Sequence, residues 1–205
     1  ARDERTAAWL ARHARIDPAG FVTLSAAALA SGPPEICRRA LQQVLISVGG
    51  TRYPPRRARL ARLLEQIRAG LASGRTLAGC RVLPYRGALL ICREPRRIHE
   101  TPLVAGTPVL WDGRFRVELT GDVAALVVRA LAGARGQRGW PAPARRLPAP
   151  VRSGLPSVWR GEALLAVPHL GLIEPWLARR ATIAARFSPA SPVAGAPFHI
   201  GRAAA

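Results

Sequence analysis

The sequence predicts an α+β chain, an N-terminal helical segment followed by a β-rich segment built from antiparallel hairpins. Between residues 36 and 71 the apolar residues recur at helical spacing, whereas beyond residue 75 they fall into short runs separated by two-residue turns. The chain is 49% apolar and 21% charged. That is ordinary for a globular protein and excludes a disordered basic tail, which would be poor in Leu, Val and Ile. The change of period places a boundary near Gly74. It divides the chain into a helical linker or substrate-binding segment, residues 1–74, and a β-rich segment, residues 75–205.

The chain opens on a helix-like pattern, Ala1-Arg2-Asp3-Glu4-Arg5. Ser25 is placed to cap a short helix over Ala26–Ala30. Pro33 and Pro34 suit a first helical turn, where a missing N–H costs nothing. Cys37, Ala40, Leu41, Val44 and Val48 then form one apolar stripe, and Gly49-Gly50 supplies a left-handed stop. A further helix starts at Pro54-Pro55. Its stripe is Leu60, Leu63, Leu64, Ile67 and Leu71, with Arg59, Arg62 and Gln66 on the opposite side.

The β-rich part begins with strands over Thr76–Pro84 and Ala88–Arg93, joined at Arg86-Gly87. A second hairpin joins Val109–Trp111 to Arg114–Leu119 about Asp112-Gly113, a strong two-residue turn signal. The Val content of Val123–Leu131 favours a strand. Residues 133–156, rich in Pro, Gly and Arg, read as a loop with one helical turn near Pro150–Gly154. A third hairpin spans Val158–Val167 about Arg160-Gly161, and Ile183–Phe187 reads as a last strand.

Charge is the strongest compositional signal. The 31 basic residues are all Arg, set against 12 acids, for a formal net charge of +19. A small soluble domain typically carries roughly 2–8 in magnitude. The absence of Lys and Asn points to a GC-rich genome, which explains Arg in place of Lys but not the excess of cations over anions. Residues 1–35 are neutral, with four Arg and four acids, whereas residues 36–93 hold twelve Arg and one acid, Glu65. Like charges in a folded chain repel one another unless a polyanion answers them.

Catalytic motifs are not found. The sequence has no GxSxG, HExxH, P-loop or GxGxxG. Ser47-Val48-Gly49-Gly50-Thr51 sits at the carbonyl end of a helix, the wrong polarity for phosphate. Cys37, Cys80 and Cys92 lie in apolar patterns with no CxxC spacing, so they read as core residues and not as metal ligands. His13, His99, His169 and His199 are scattered. Glu35 falls in a first helical turn, where a carboxylate offsets the positive helix end, and Glu94 reads as a surface ion-pair partner. No run approaches the roughly 18 apolar residues of a membrane span. The expectation is a cytoplasmic, metal-free chain with no membrane partner. With no Met and a start inside a helical pattern, it is expected to be part of a longer protein.

The arginines carry the candidate site. A guanidinium offers a planar fork of donors that matches phosphate oxygens and stacks on bases. Arg52, Arg56, Arg57, Arg59 and Arg62 crowd one helix start and its outer face. Arg75, Arg81 and Arg86 follow the first hairpin, and Arg145, Arg146 and Arg152 lie in the Pro-rich loop. These are the expected nucleic-acid-binding residues. An acidic protein partner is the rival reading of the same charge.

The order of several segments resembles a known family. They are Pro33-Pro34-Glu35 leading to Arg39-Ala40-Leu41, Val48-Gly49-Gly50, Tyr53-Pro54-Pro55-Arg56, and Thr76-Leu77-Ala78-Gly79-Cys80 closing on Cys92-Arg93-Glu94. Later come Pro150-Val151-Arg152, Leu155-Pro156-Ser157-Val158-Trp159 and Leu165-Ala166-Val167-Pro168-His169-Leu170-Gly171. Together they resemble the region downstream of the catalytic domain in bacterial tRNA(Ile)-lysidine synthases.

That family joins lysine to the wobble cytidine of an isoleucine tRNA, through an adenylated cytidine. The ATP-consuming chemistry belongs to an N-terminal ATP-pyrophosphatase domain with an SGGxDS loop. Ser47–Thr51 lacks the Asp and the second Ser of that loop, so no catalytic residue carries over. The resemblance implies a tRNA-binding portion that binds no cofactor itself and partners tRNA and a separate catalytic domain, with ATP used only by the whole enzyme. The alternative is a free-standing RNA- or ribosome-associated module.

Overall fold

The computed structural model describes residues 2–96, 98–131 and 146–193. It confirms the α+β class, with helices first and antiparallel sheets after. Two compact units are present. The first holds the described residues up to Glu94 and those from Pro189 onward; the second is Pro95–Ser188.

The first unit begins with helix α1, Arg2–His13, and a hairpin of β1, Ala14–Asp17, and β2, Phe21–Leu24. This hairpin adds two strands to the part of the chain that the sequence reads as helical. Its turn is Asp17-Pro18-Ala19-Gly20, in which the Asp17 carboxylate accepts from the Ala19 N–H at 2.8 Å. Pro18 presets the turn, and Gly20 takes φ +78°. Helix α2, Ala26–Ser31, is capped by Ser25, whose hydroxyl accepts from the Ala28 N–H at 3.1 Å. Helix α3, Pro34–Gly49, buries the whole predicted stripe.

Gly49 and Gly50 do different work. Gly50 is the left-handed cap at φ +65°. Gly49 is still helical, and any Cβ there would collide with the Ala78 carbonyl. The pair is a packing contact and a helix stop. Helix α4 spans Arg57–Arg68, so Pro54 and Pro55 precede it instead of opening it, and Leu71 lies beyond its end.

The strand expected over Thr76–Pro84 is two strands, β3, Arg75–Leu77, and β4, Cys80–Tyr85. They turn at Ala78-Gly79, both at positive φ. Strand β5, Ala88–Arg93, completes a sheet of order β1-β2-β5-β4-β3. This sheet corrects the boundary expected at Gly74. Strand β5 pairs with β2, so the hairpins after residue 74 share one core with the helices before it, and the division falls after Glu94. A change of period marks a change of element type; it does not say which elements bury each other's apolar faces.

Register explains the arrangement. Ile16, Val22, Ile91 and Val82 are successive cross-strand partners, and Arg75 is the next in the row. Val22, Ile91 and Val82 are fully buried in the core that holds the helical stripes. Each fully buried aliphatic side chain is worth about 1.5–3 kcal/mol. Arg75 therefore ends the core-facing row of the sheet, at its open edge.

The second unit holds β6, Thr101–Leu103, then β7, Val109–Trp111, β8, Phe115–Gly121, and β9, Leu126–Ala130. There follow helix α5, Ala149–Arg152, strands β10, Pro156–Arg160, and β11, Ala163–Val167, and a 3-10 turn over Pro168–Leu170. Strand β12, Leu172–Ile173, helix α6, Pro175–Ala178, and strand β13, Ala181–Phe187, complete it. Two sheets result, β12-β11-β10-β9-β6 and β13-β8-β7, around a core of Leu103, Trp111, Phe115, Val117 and Val158. The hairpins about Asp112-Gly113 and Arg160-Gly161 stand where expected, as does the helical turn before Gly154. Of the Pro-rich loop, residues 133–145 lie outside the described residues, Arg145 among them.

Candidate nucleic-acid interface

The Arg side chains fall into two classes by partner. Arg38 and Arg39 pair with Glu35 at 2.7 and 2.9 Å. Arg116 pairs with Glu118, Arg129 with Glu162, and Arg114 with Asp112. Arg52, Arg56, Arg57, Arg59 and Arg62 have no such carboxylate among the described residues, and all five are exposed. Paired arginines are structural charges already answered within the fold. Those without a carboxylate partner leave their charge unanswered among the described residues.

Helix α4 organises the unpaired set. Leu60, Leu63, Leu64 and Ile67 bury one side of it. Arg59, Arg62 and Gln66 then recur at i, i+3 and i+7 along one edge of that buried side. The row that ends in Arg75 arrives beside them. Arg59, Arg62, Leu63, Gln66, Arg75, Thr76, Leu77 and Ala78 line one open groove of about 460 Å³, with no acid among them.

Arg75 is held in place. Its Nε donates to Gln66 Oε1 at 3.1 Å, and one terminal nitrogen donates to Ser73 Oγ at 2.6 Å and to the Gly74 carbonyl at 3.0 Å. The other terminal nitrogen has no hydrogen-bond partner among the described residues. A guanidinium fixed this way loses less rotamer freedom when it binds an anion.

Arg56 and Arg57 stand at the start of α4, which no side chain caps. The free N–H groups of that turn add a partial positive charge to theirs. Arg52 lies in the segment between α3 and α4. Next to it, Tyr53 is 82% exposed, a feature that sequence reasoning did not single out.

The remaining predicted residues that are described do not line this groove. Arg81 is one position off the Arg75 row, so the strand's alternation puts it on the other face of the sheet. Arg86 occupies a turn at φ +48°, 5.3 Å from the Tyr85 ring centroid, and lines a separate cavity with Ile67 and Leu71. Arg146 is exposed and Arg152 half-buried, both in the second unit. The three cysteines are buried and reduced. Burial pushes the Cys37 thiol pKa up, against its use as a nucleophile. Among the described residues, no group of three or more His, Cys, Asp and Glu side chains is placed to hold a metal ion, and no helix is long and apolar enough to cross a membrane.

The groove can grip an extended polyanion through guanidinium–phosphate contacts. Its described lining residues include no His, Cys, Asp or Glu.

Comparison with known proteins bears out the resemblance read from the sequence. The chain is 34% identical over 167 residues to a tRNA(Ile)-lysidine synthase of Ruegeria pomeroyi, covering 80% of this chain and 36% of that protein. It is 36% identical over 123 residues to one from Caulobacter vibrioides, 58% of this chain and 28% of that protein. It is also 36% identical over 107 residues to one from Anaplasma marginale, 50% of this chain and 23% of that protein. The chain thus spans little more than a third of the length of these curated relatives, or less. No family model matches it.

Proposed function

We propose that this chain, a relative of tRNA(Ile)-lysidine synthases over four fifths of its length, is a tRNA-holding portion of such an enzyme. The observation that carries the reading is the groove in which Arg59, Arg62 and Arg75 converge with no carboxylate. Its work is positional. Guanidinium–phosphate contacts at the groove and at Arg52, Arg56 and Arg57 fix the register of the tRNA and carry little base information. An isoleucine tRNA held in this way presents its wobble cytidine to a separate catalytic domain, where ATP and lysine are used. Arg81, Arg86, Arg146 and Arg152, with Arg145, which lies outside the described residues, add to the same electrostatic attraction.

Binding of the purified chain to an isoleucine tRNA transcript, titrated at several salt concentrations, tests this. Each phosphate neutralised lowers the logarithm of affinity by roughly 0.7–0.9 per unit logarithm of salt. A slope of two or more is the expected result. A slope near zero would remove the nucleic-acid reading and leave an acidic protein as the partner.

A further inference from the structure

Tyr53 is the most exposed large hydrophobic side chain among the described residues, at 82%, ahead of Leu110 at 51% and Val104 at 49%. A side chain this exposed adds little burial energy to the fold. The backbone beneath it is nevertheless constrained. The Thr51 hydroxyl donates to the Tyr53 carbonyl at 2.9 Å, and Pro54 and Pro55 follow directly. Two consecutive prolines fix φ and leave the segment few alternative conformations. The ring is thus presented on a stiff support, and Tyr itself has only two side-chain torsions to immobilise on binding.

Its neighbours define the partner. Arg52 precedes it, and Arg56, Arg57 and Arg59 follow within six residues, none with a carboxylate among the described residues. A protein surface apolar enough to cover the ring would have to desolvate this cluster as well. A nucleic acid satisfies both features at once, with phosphates for the guanidinium groups and a flat base for the ring. Bases inside a continuous duplex are already stacked on both faces, so the base must be one outside a helix.

We infer that Tyr53 is a stacking residue, its ring covering an unpaired nucleobase of the bound RNA while the flanking arginines hold the adjoining phosphates. This rests on the RNA-binding reading above and adds to it a named contact, the Tyr53 ring on a base free of its helix. The contact is non-ionic, so it adds affinity without adding to the salt dependence.

The test uses oligouridylate of about ten nucleotides, whose bases are largely unstacked, carrying one 2-aminopurine, whose fluorescence is quenched by stacking, alongside tRNA, with the parent chain, Tyr53→Phe and Tyr53→Ala. Stacking on one aromatic ring is large enough that Tyr53→Ala should bind the oligonucleotide roughly tenfold more weakly. Its salt slope should match the parent's, and the quenching should be lost. Tyr53→Phe should behave as the parent. If Tyr53→Ala binds as tightly as the parent, or the parent binds tRNA but does not quench the probe, stacking is overturned while the RNA-binding reading stands. If Tyr53→Ala flattens the salt slope, the ring merely shapes the cation cluster; if Tyr53→Phe is as weak as Tyr53→Ala, the hydroxyl and not the ring makes the contact. Either result overturns the inference. If the parent binds neither RNA, both readings fall.

Discussion

The Arg114 guanidinium lies 2.8 Å from the Asp112 carboxylate, with the Arg114 side chain 1% exposed and that of Asp112 8%. Arg114 also donates to the Gly154 carbonyl at 3.2 Å and sits 4.9 Å from the Phe115 ring centroid. One of the chain's arginines is therefore a core element of the second unit, with no bearing on a polyanion. The same residue type serves two purposes here, and only partners and burial separate them.

Removing that counter-charge leaves a buried cation less well compensated. Asp112→Asn keeps a residue tolerant of the positive φ of this turn, so the backbone is not the variable. Breaking one side of a buried pair typically costs about 3–5 kcal/mol. Because Asn can still accept one hydrogen bond, a loss near the lower figure is expected in urea denaturation. A loss below about 0.5 kcal/mol, the size of an ordinary surface substitution, would show that other contacts hold Arg114. The salt slope of RNA binding should not change.

Replacing Arg59, Arg62 and Arg75 together by Gln should flatten the salt slope of tRNA binding by about two units and weaken all tRNAs alike. The three are exposed, so stability should change by less than about 1 kcal/mol. Titration of parent and variant at several salt concentrations decides it. An unchanged slope would move the binding face to the Arg146–Arg152 region or the Arg86 turn.

Cys37 is fully buried, and its thiol points to the Ala28 carbonyl at 3.6 Å. Cys37→Ser should cost on the order of 1 kcal/mol, since a hydroxyl replaces a thiol in an apolar setting. The folded thiol pKa is raised above 9.0, so the fold favours the protonated form. This contribution is whole below pH 9.0 and is lost as pH rises through the higher folded value. Thiol-reagent kinetics should be far slower in the native chain than in urea; equal rates would contradict burial.

Glu35 shows the opposite sign. Hydrogen bonds from Arg38 and Arg39 hold its carboxyl pKa down to about 2, from 4.5. Stability from this group is present above pH 4.5 and lost as pH falls through about 2. The stability difference between parent and Glu35→Gln should shrink across that window and vanish at its acid end. The carboxylate is solvent-exposed, so the whole effect is small. Asp17, whose carboxyl pKa is raised by burial, contributes the reverse trend and is common to both proteins. A difference independent of pH would show that the Arg contacts do not act through the charge.

The chain alone should consume no ATP when tRNA and lysine are supplied. The motivation is the Ser47–Thr51 segment, whose glycines are occupied by a helix stop and by the close approach of the Ala78 carbonyl. Release of pyrophosphate measured with the purified chain checks this, and clear turnover would refute it.

Helices α3 and α4, the cap at Ser25, the Asp112-Gly113 and Arg160-Gly161 turns and the basic character of the chain were all legible in the sequence. Each depends on interactions within a few residues, where period, capping chemistry and backbone preference act directly. The β1–β2 hairpin carried a signal that could have been used, the Asp17-Pro18-Ala19-Gly20 turn followed by Phe21-Val22-Thr23-Leu24. Other features were decided only by tertiary structure. Strand β5 pairs with β2 from across some sixty-five residues of chain, which moves the unit boundary past Glu94. The resulting cross-strand row ends in Arg75 and delivers it to Gln66 on α4. The sequence could enumerate the arginines, but partners come from strand register and helix docking. These follow from burying the apolar faces of distant segments together, and no local pattern records that event.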